Sequence, residues 1–106
     1  MCLGHQTLCQ RLGLELVYKD VVFQGTQSPV RLDGRTERVG FYNTFVGRVP
    51  AGGVLPDSVR VEADEATGDI HAVTGPHYRG IQFHAESILT EHGYDLLHAA
   101  VRDLLA

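Results

Sequence analysis

The sequence predicts an α/β fold, and three features predict it. A short helical segment opens the chain, extended stretches rich in β-branched and aromatic residues fill its middle, and an amphipathic helix closes it. With 106 residues there is room for one small domain, and no internal repeat or low-complexity stretch divides it.

From Leu3 onward, Leu8, Cys9 and Leu12 recur at helical spacing, and Gly13 stands where a left-handed residue would end the helix. Leu14 to Tyr18 then reads as a strand and Val21 to Phe23 as a connection. Pro29 to Leu32 reads as a second strand, closed by the turn pair Asp33-Gly34. Val39 to Val49 is a further extended stretch, and Pro50 to Pro56, with adjacent glycines, is a surface loop. Val59 to Ala63 alternates apolar and polar residues and Ile70 to Thr74 follows a turn at Thr67-Gly68-Asp69, so the two form a hairpin, with the acidic run from Glu62 to Asp69 solvated around its turn. Gly80 to His84 is a short apolar strand. Tyr94, Leu97, Val101, Leu104 and Leu105 trace one face of the last helix, which is either core or, on an incomplete sheet, an exposed apolar surface that invites association.

Composition narrows the class of function. Hydrophobic residues at 43% and charged residues at 21% are globular proportions. A formal charge of −4 with scattered arginines disfavours nucleic acid as a partner. No stretch has the length of a membrane span and no leader precedes the fold, so no membrane role is expected. The only cysteines, Cys2 and Cys9, lie about two helical turns apart, too far to bridge, which suits a reducing cytoplasm. The six histidines form no CxxC, HxxxH or HExxH spacing, so neither a metal nor a cofactor is expected.

Two segments carry the chemistry: Met1-Cys2-Leu3-Gly4-His5-Gln6 and Gln82-Phe83-His84-Ala85-Glu86-Ser87. A cysteine is a nucleophile as thiolate, which requires an imidazole to take its proton and a third group to aim that imidazole. His84 and Glu86 supply those two roles for Cys2. Gly4, just after the Cys-Leu pair, fits a tight strand-to-helix elbow with close backbone approach. Such an elbow sets the thiol at a helix N-terminus, with the N–H of Leu3 directed at an oxyanion. Cys9 reads as core packing, His5 as a local contact near the elbow, and His71, His77, His92 and His98 as surface or structural residues.

Cys-Leu-Gly-His-Gln together with Gln-Phe-His-x-Glu-Ser resembles the class I, triad-type glutamine amidotransferases. The continuation Ser87-Ile88-Leu89-Thr90-Glu91-His92-Gly93 is similar to the glutaminase components of anthranilate and aminodeoxychorismate synthases. Phe23 to Gln27, Phe41 to Phe45 and Ala85 most resemble the amidotransferase domain of phenazine-type, aminodeoxyisochorismate-forming enzymes. The resemblance implies Cys2 as nucleophile, His84 as general base and acid, and Glu86 as its orienting residue. It further implies L-glutamine held by Leu3, Gln6, Thr44 and Phe45, and a chorismate-converting synthase as partner. Tyr42-Asn43-Thr44-Phe45 stands where the family more often has Tyr-His-Ser-Leu, and Ala85 where it usually has proline.

The implied fold is a central, mostly parallel sheet flanked by helices, with an antiparallel hairpin region. Residues 1–106 would be a single partial domain whose N-terminal half, including the strand into the elbow and the loop carrying the second oxyanion donor, is missing. Two further readings stay open: a truncated, non-catalytic module that docks on a partner, and an N-terminal nucleophile in which removal of Met1 makes the α-amino group of Cys2 its base.

Overall fold

Leu3–Arg11 forms helix α1, and Gly13 closes it at φ 84, a left-handed conformation that glycine adopts without strain. This computed structural model describes residues 1–50, 52–53 and 55–105, with the side chains of residues 20–23 left aside; part of the Pro50 to Pro56 loop falls outside them, whereas Val21 to Phe23, expected as a connection, is extended backbone within the strand Glu15–Leu32. Strands β1 (Glu15–Leu32), β2 (Arg35–Arg48), β3 (Arg60–Ala63), β4 (Ile70–Gly75) and β5 (Tyr78–Ile81) follow, and helix α2 (Gly93–Leu105) ends the chain.

The expected strands at Leu14 to Tyr18 and Pro29 to Leu32 are two ends of one long strand, because β2 pairs with both, from Glu15 opposite Arg48 to Leu32 opposite Arg35. Pro29 is tolerated because β1 lies at the edge of the sheet, where a missing N–H leaves no neighbour unpaired. Gly25, at φ 69, is the extra residue between the pairs Gln24–Tyr42 and Thr26–Phe41, a bulge that needs the left-handed conformation. Asp33 and Gly34 both have positive φ, 49 and 81, which matches the right-handed twist of the hairpin they close.

The sheet order is β1-β2-β4-β3, with β5 also on β4, and every described pair is antiparallel. The mostly parallel sheet expected from the family resemblance is therefore not what these strands form. Parallel neighbours need a crossover of a dozen or more residues, usually a helix. Here α1 precedes all the strands and α2 follows them, so among the described residues no helix separates one strand from the next.

Two apolar clusters hold the layers together. Cys9 of α1 packs with Leu14, Ile70 and Val73, and Val39, Phe41 and Phe83 pack with Ile81 and with Leu96 of α2. Phe41 and Phe83 meet edge-on, ring centroids 6.3 Å apart. The face of α2 read from the sequence, Tyr94, Leu97, Val101, Leu104 and Leu105, is exposed; the helix is attached through Leu96 and through an ion pair from Arg79 to Asp103 at 2.7 Å.

The acidic hairpin turn is solvated from Asp64 to Gly68, as the sequence suggests, and Asp69 departs from that reading. Asp64 accepts from the N–H groups of Ala66 and Thr67, both at 2.9 Å, and the Thr67 bond leads the interactions that hold its carboxyl below the usual value. Asp69 is drawn inward between Lys19 and Arg48, each 2.8 Å away. Desolvation there pushes the Asp69 carboxyl up, and the hydrogen bonds and charges of the two cations pull it further down, leaving it below its ordinary value.

Candidate active site at the helix elbow

Cys2 immediately precedes α1 and adopts φ 40, ψ −100, a conformation that side-chain-bearing residues rarely occupy. The strain turns the chain sharply, and the N–H of Cys2 donates to the carbonyl of Ile81 at 2.8 Å, tying the elbow to the end of β5. The tight approach expected at Gly4 is absent: a Cβ added there meets nothing within 4 Å, because this face of α1 is exposed. The backbone distortion sits on the cysteine itself.

The thiol is half-buried. Its sulfur receives the side-chain N–H of Gln82 at 3.4 Å and lies 4.0 Å from the carbonyl oxygen of Tyr42, the outer reach of a sulfur hydrogen bond. The start of α1 carries no acidic side chain in its first turn, so the positive end of the helix dipole acts on the sulfur uncompensated. Leu3, as the first helical residue, carries one of the amides that a helix start leaves without an intrahelical partner.

His84 lies just beyond β5, where the chain bridges back to Gly40 of β2. Its Nδ1 is 2.6 Å from a Glu86 carboxylate oxygen, and its ring meets the Tyr42 ring edge-on at 5.3 Å. A carboxylate accepts, so Nδ1 carries a proton, and in the neutral ring the lone pair is on Nε2. Desolvation pushes the Glu86 carboxyl up, but the His84 hydrogen bond and nearby positive charge outweigh it and hold the group below its usual 4.5. Tyr42 thus joins the two halves of the site, its carbonyl near the Cys2 sulfur and its ring against the His84 imidazole; its hydroxyl is 3.3 Å from Ser87 Oγ.

Of the residues expected to hold a substrate, Gln6 is buried, and its side-chain N–H groups go to the Phe45 carbonyl and to Gln82 Oε1, both at 3.1 Å. Its amide nitrogen is committed to the scaffold, which leaves the carbonyl oxygen for a ligand. The Phe45 carbonyl also accepts from Asn43 at 2.8 Å, so two side chains fix the backbone at Thr44 and Phe45. A cavity of about 280 Å³ lined by Asn43, Gln82, Arg48 and Asp69 lies next to this scaffold, and the buried Oδ1 of Asn43 has no hydrogen-bond partner.

The sequence motifs pointed to neither Gln82 nor Tyr42 as site residues. The signal for Gln82 is its place two residues before His84 in the same motif; the chain bends at residues 82 and 83, and both side chains are buried there. His5 and Cys9 behave as expected from packing. Their side chains lie 3.6 Å apart in the interior; burial lowers the His5 pKa to about 4 and raises that of Cys9 to about 11, so both are neutral near pH 7.

The family model of class I glutamine amidotransferases matches residues 1–104. The chain belongs to this family. Among curated amidotransferase relatives, it is 43% identical to "Anthranilate synthase, phenazine specific" of Pseudomonas fluorescens, over 99% of this chain and 17% of that protein. It is 32% identical to "Aminodeoxychorismate/anthranilate synthase component 2" of Bacillus subtilis, over 92% of this chain and 54% of the relative. With "Aminodeoxychorismate synthase component 2" of Escherichia coli the identity is 36%, over 92% and 56%. This amidotransferase chain therefore spans about half the length of its component 2 relatives and a much smaller part of the phenazine-specific protein. Among the described residues, no helix is long and apolar enough to cross a membrane.

Proposed function

We propose that the chain is the catalytic half of a glutaminase, which hydrolyses L-glutamine to glutamate and ammonia for a chorismate-converting synthase. The observation that carries this reading is the strained Cys2 at the head of α1, with the His84–Glu86 pair reaching the same residue, Tyr42. In this mechanism Nε2 of His84 takes the thiol proton, and the Cys2 sulfur attacks the side-chain amide carbon of glutamine. The proton then passes to the departing nitrogen, ammonia leaves, and a thioester remains on Cys2. His84 next takes a proton from water, whose oxygen attacks the thioester to give glutamate and the free thiol. Glu86 keeps the imidazole in the productive tautomer and stabilises it when charged.

The N–H of Leu3 is one oxyanion donor, and Gln6, Thr44 and Phe45 hold the amino-acid end of the substrate. The second donor, the strand leading into Cys2 and the parallel part of the sheet belong to an N-terminal half that residues 1–106 lack. Without that donor the rate falls by about 10²–10³. The names of the relatives favour anthranilate, aminodeoxychorismate or a phenazine-specific product as the destination of the ammonia, and the proposed setting is the cytoplasm. A non-catalytic docking role is the second reading, favoured by the exposed apolar face of α2.

The deciding experiment measures glutamine turnover by the purified chain, with Cys2→Ala as control, alone and with a family N-terminal segment supplied in trans. Turnover abolished by Cys2→Ala is expected, with the larger rate after complementation. Turnover that survives Cys2→Ala would overturn the mechanism, and none under either condition would favour the docking role.

A further inference from the structure

We propose that Thr90 is a positioning residue for His84, its hydroxyl acting as a clamp that sets where the imidazole stands. The inference rests on His84 being the proton carrier described above. His84 and Gly40 face each other as an isolated antiparallel bridge. In a fully hydrogen-bonded pair each residue would donate its N–H to the other's carbonyl. Only one of those bonds is direct: the N–H of His84 donates to the Gly40 carbonyl at 2.9 Å. In the other half of the bridge the Thr90 hydroxyl is inserted, accepting from the Gly40 N–H at 2.9 Å and donating to the His84 carbonyl at 2.6 Å.

The hydroxyl thus closes a ring of three hydrogen bonds in which both main-chain groups of His84 are held. Thr90 is buried, so water does not compete for these bonds. The loop that brings Thr90 back is itself pinned. Glu91 N–H donates to the Arg38 carbonyl at 2.9 Å, Gln27 donates to the Leu89 carbonyl at 2.9 Å, and Leu89 N–H donates to Ser87 Oγ at 3.1 Å. Gly40 permits the approach, since a Cβ there would stand 2.7 Å from Leu89 Cβ and 3.1 Å from Ser87 Oγ. With its backbone fixed in this way, the His84 ring has a narrow choice of positions between Tyr42 and Glu86.

The test compares Thr90→Val, which keeps the shape and removes the hydroxyl, with Thr90→Ser, which keeps the hydroxyl. Both are read in the 106-residue chain by the pH profile of Cys2 alkylation with iodoacetamide and by the ring resonances of His84. The expected result for Thr90→Val is an alkylation rate lower by about tenfold to 10²-fold at neutral pH and a displaced His84 signal. Thr90→Ser should stay within about threefold of the parent, since the clamp is retained. A folded Thr90→Val with parental rate, profile and His84 signal would overturn the proposal, as would equal impairment of the two variants. Should Thr90→Val not fold, amide exchange of Gly40 in the parent and in Thr90→Ser decides: slow exchange in both supports the clamp, and exchange as fast as an exposed amide refutes it. An unchanged alkylation profile in His84→Asn would instead remove the proton-carrier reading, and is told apart because Gly40 protection would persist.

Discussion

Replacing Gln82 by methionine separates what this side chain does for the thiol from what it does for the fold. The Gln82 amide donates to Cys2 Sγ at 3.4 Å and accepts from Gln6 at 3.1 Å, while its backbone N–H, bonded to His71, is untouched by the substitution. A hydrogen bond to a charged acceptor is worth about 1.5–3 kcal/mol. Taking the low end, because sulfur is a diffuse acceptor, Gln82→Met removes about 1.4 kcal/mol of thiolate stabilisation, a tenfold smaller thiolate population wherever the thiol is the majority form. A less stabilised thiolate is intrinsically more nucleophilic, by about threefold for that change at a Brønsted slope near 0.45.

Iodoacetamide alkylation followed across pH should therefore show the variant about threefold slower where the thiol dominates and about threefold faster where it is fully ionised, with the two curves crossing. Gln6 meanwhile keeps the Phe45 carbonyl but loses its other acceptor, which costs about 1–2 kcal/mol in urea unfolding. Parallel curves that never cross, or an unchanged profile in a destabilised variant, would refute the claim that Gln82 acts on the sulfur.

Asp69→Asn should destabilise the chain by about 2–4 kcal/mol in urea unfolding, because it removes a carboxylate charge held 2.8 Å from both the nearly buried Lys19 and the half-buried Arg48. The same carboxylate sets an acid dependence. Its folded pKa lies below the ordinary 3.8, so its contribution is full above that value and is lost as pH falls through the lower folded one. The parent's urea midpoint should drop between about pH 5 and pH 2 by more than that of Asp69→Asn, and equal drops would count against the linkage. Cys9, buried with its thiol raised to about 11, should escape alkylation in the folded chain at about pH 8, so mass spectrometry of native protein should find a single adduct, on Cys2. Labelling of Cys9 at a comparable rate would show that α1 opens.

What the sequence disclosed was local. Gly13 ends a helix and Asp33-Gly34 makes a turn through backbone preferences of the residues themselves, and His84 and Glu86 lie close enough in the chain to pair whatever surrounds them. The links that depend on sheet register were not legible. Tyr42 reaches both Cys2 and His84 because β2 runs opposite β1 and brings Gly40 to the end of β5, a meeting of segments some 40 residues apart. Asp69 read as a solvated acid because its partner Lys19 lies 50 residues away. The antiparallel neighbours were legible in the Asp33-Gly34 and Thr67-Gly68-Asp69 turns, whereas the mostly parallel sheet rests on family resemblance alone and is not formed by the described strands.

The backbone conformation of Cys2 sets selection for stability against selection for chemistry at one codon. A side-chain-bearing residue at φ 40 costs about 1–3 kcal/mol, which glycine would recover. Under the proposed mechanism, a lineage released from the need for the reaction would gain robustness by replacing this cysteine with glycine, so loss of Cys2 would be favoured by folding as well as permitted by drift. The proposed role of Cys2 thus gives a reason to keep a side chain at a position that folding alone would give to glycine, whereas buried Cys9 is accounted for by packing.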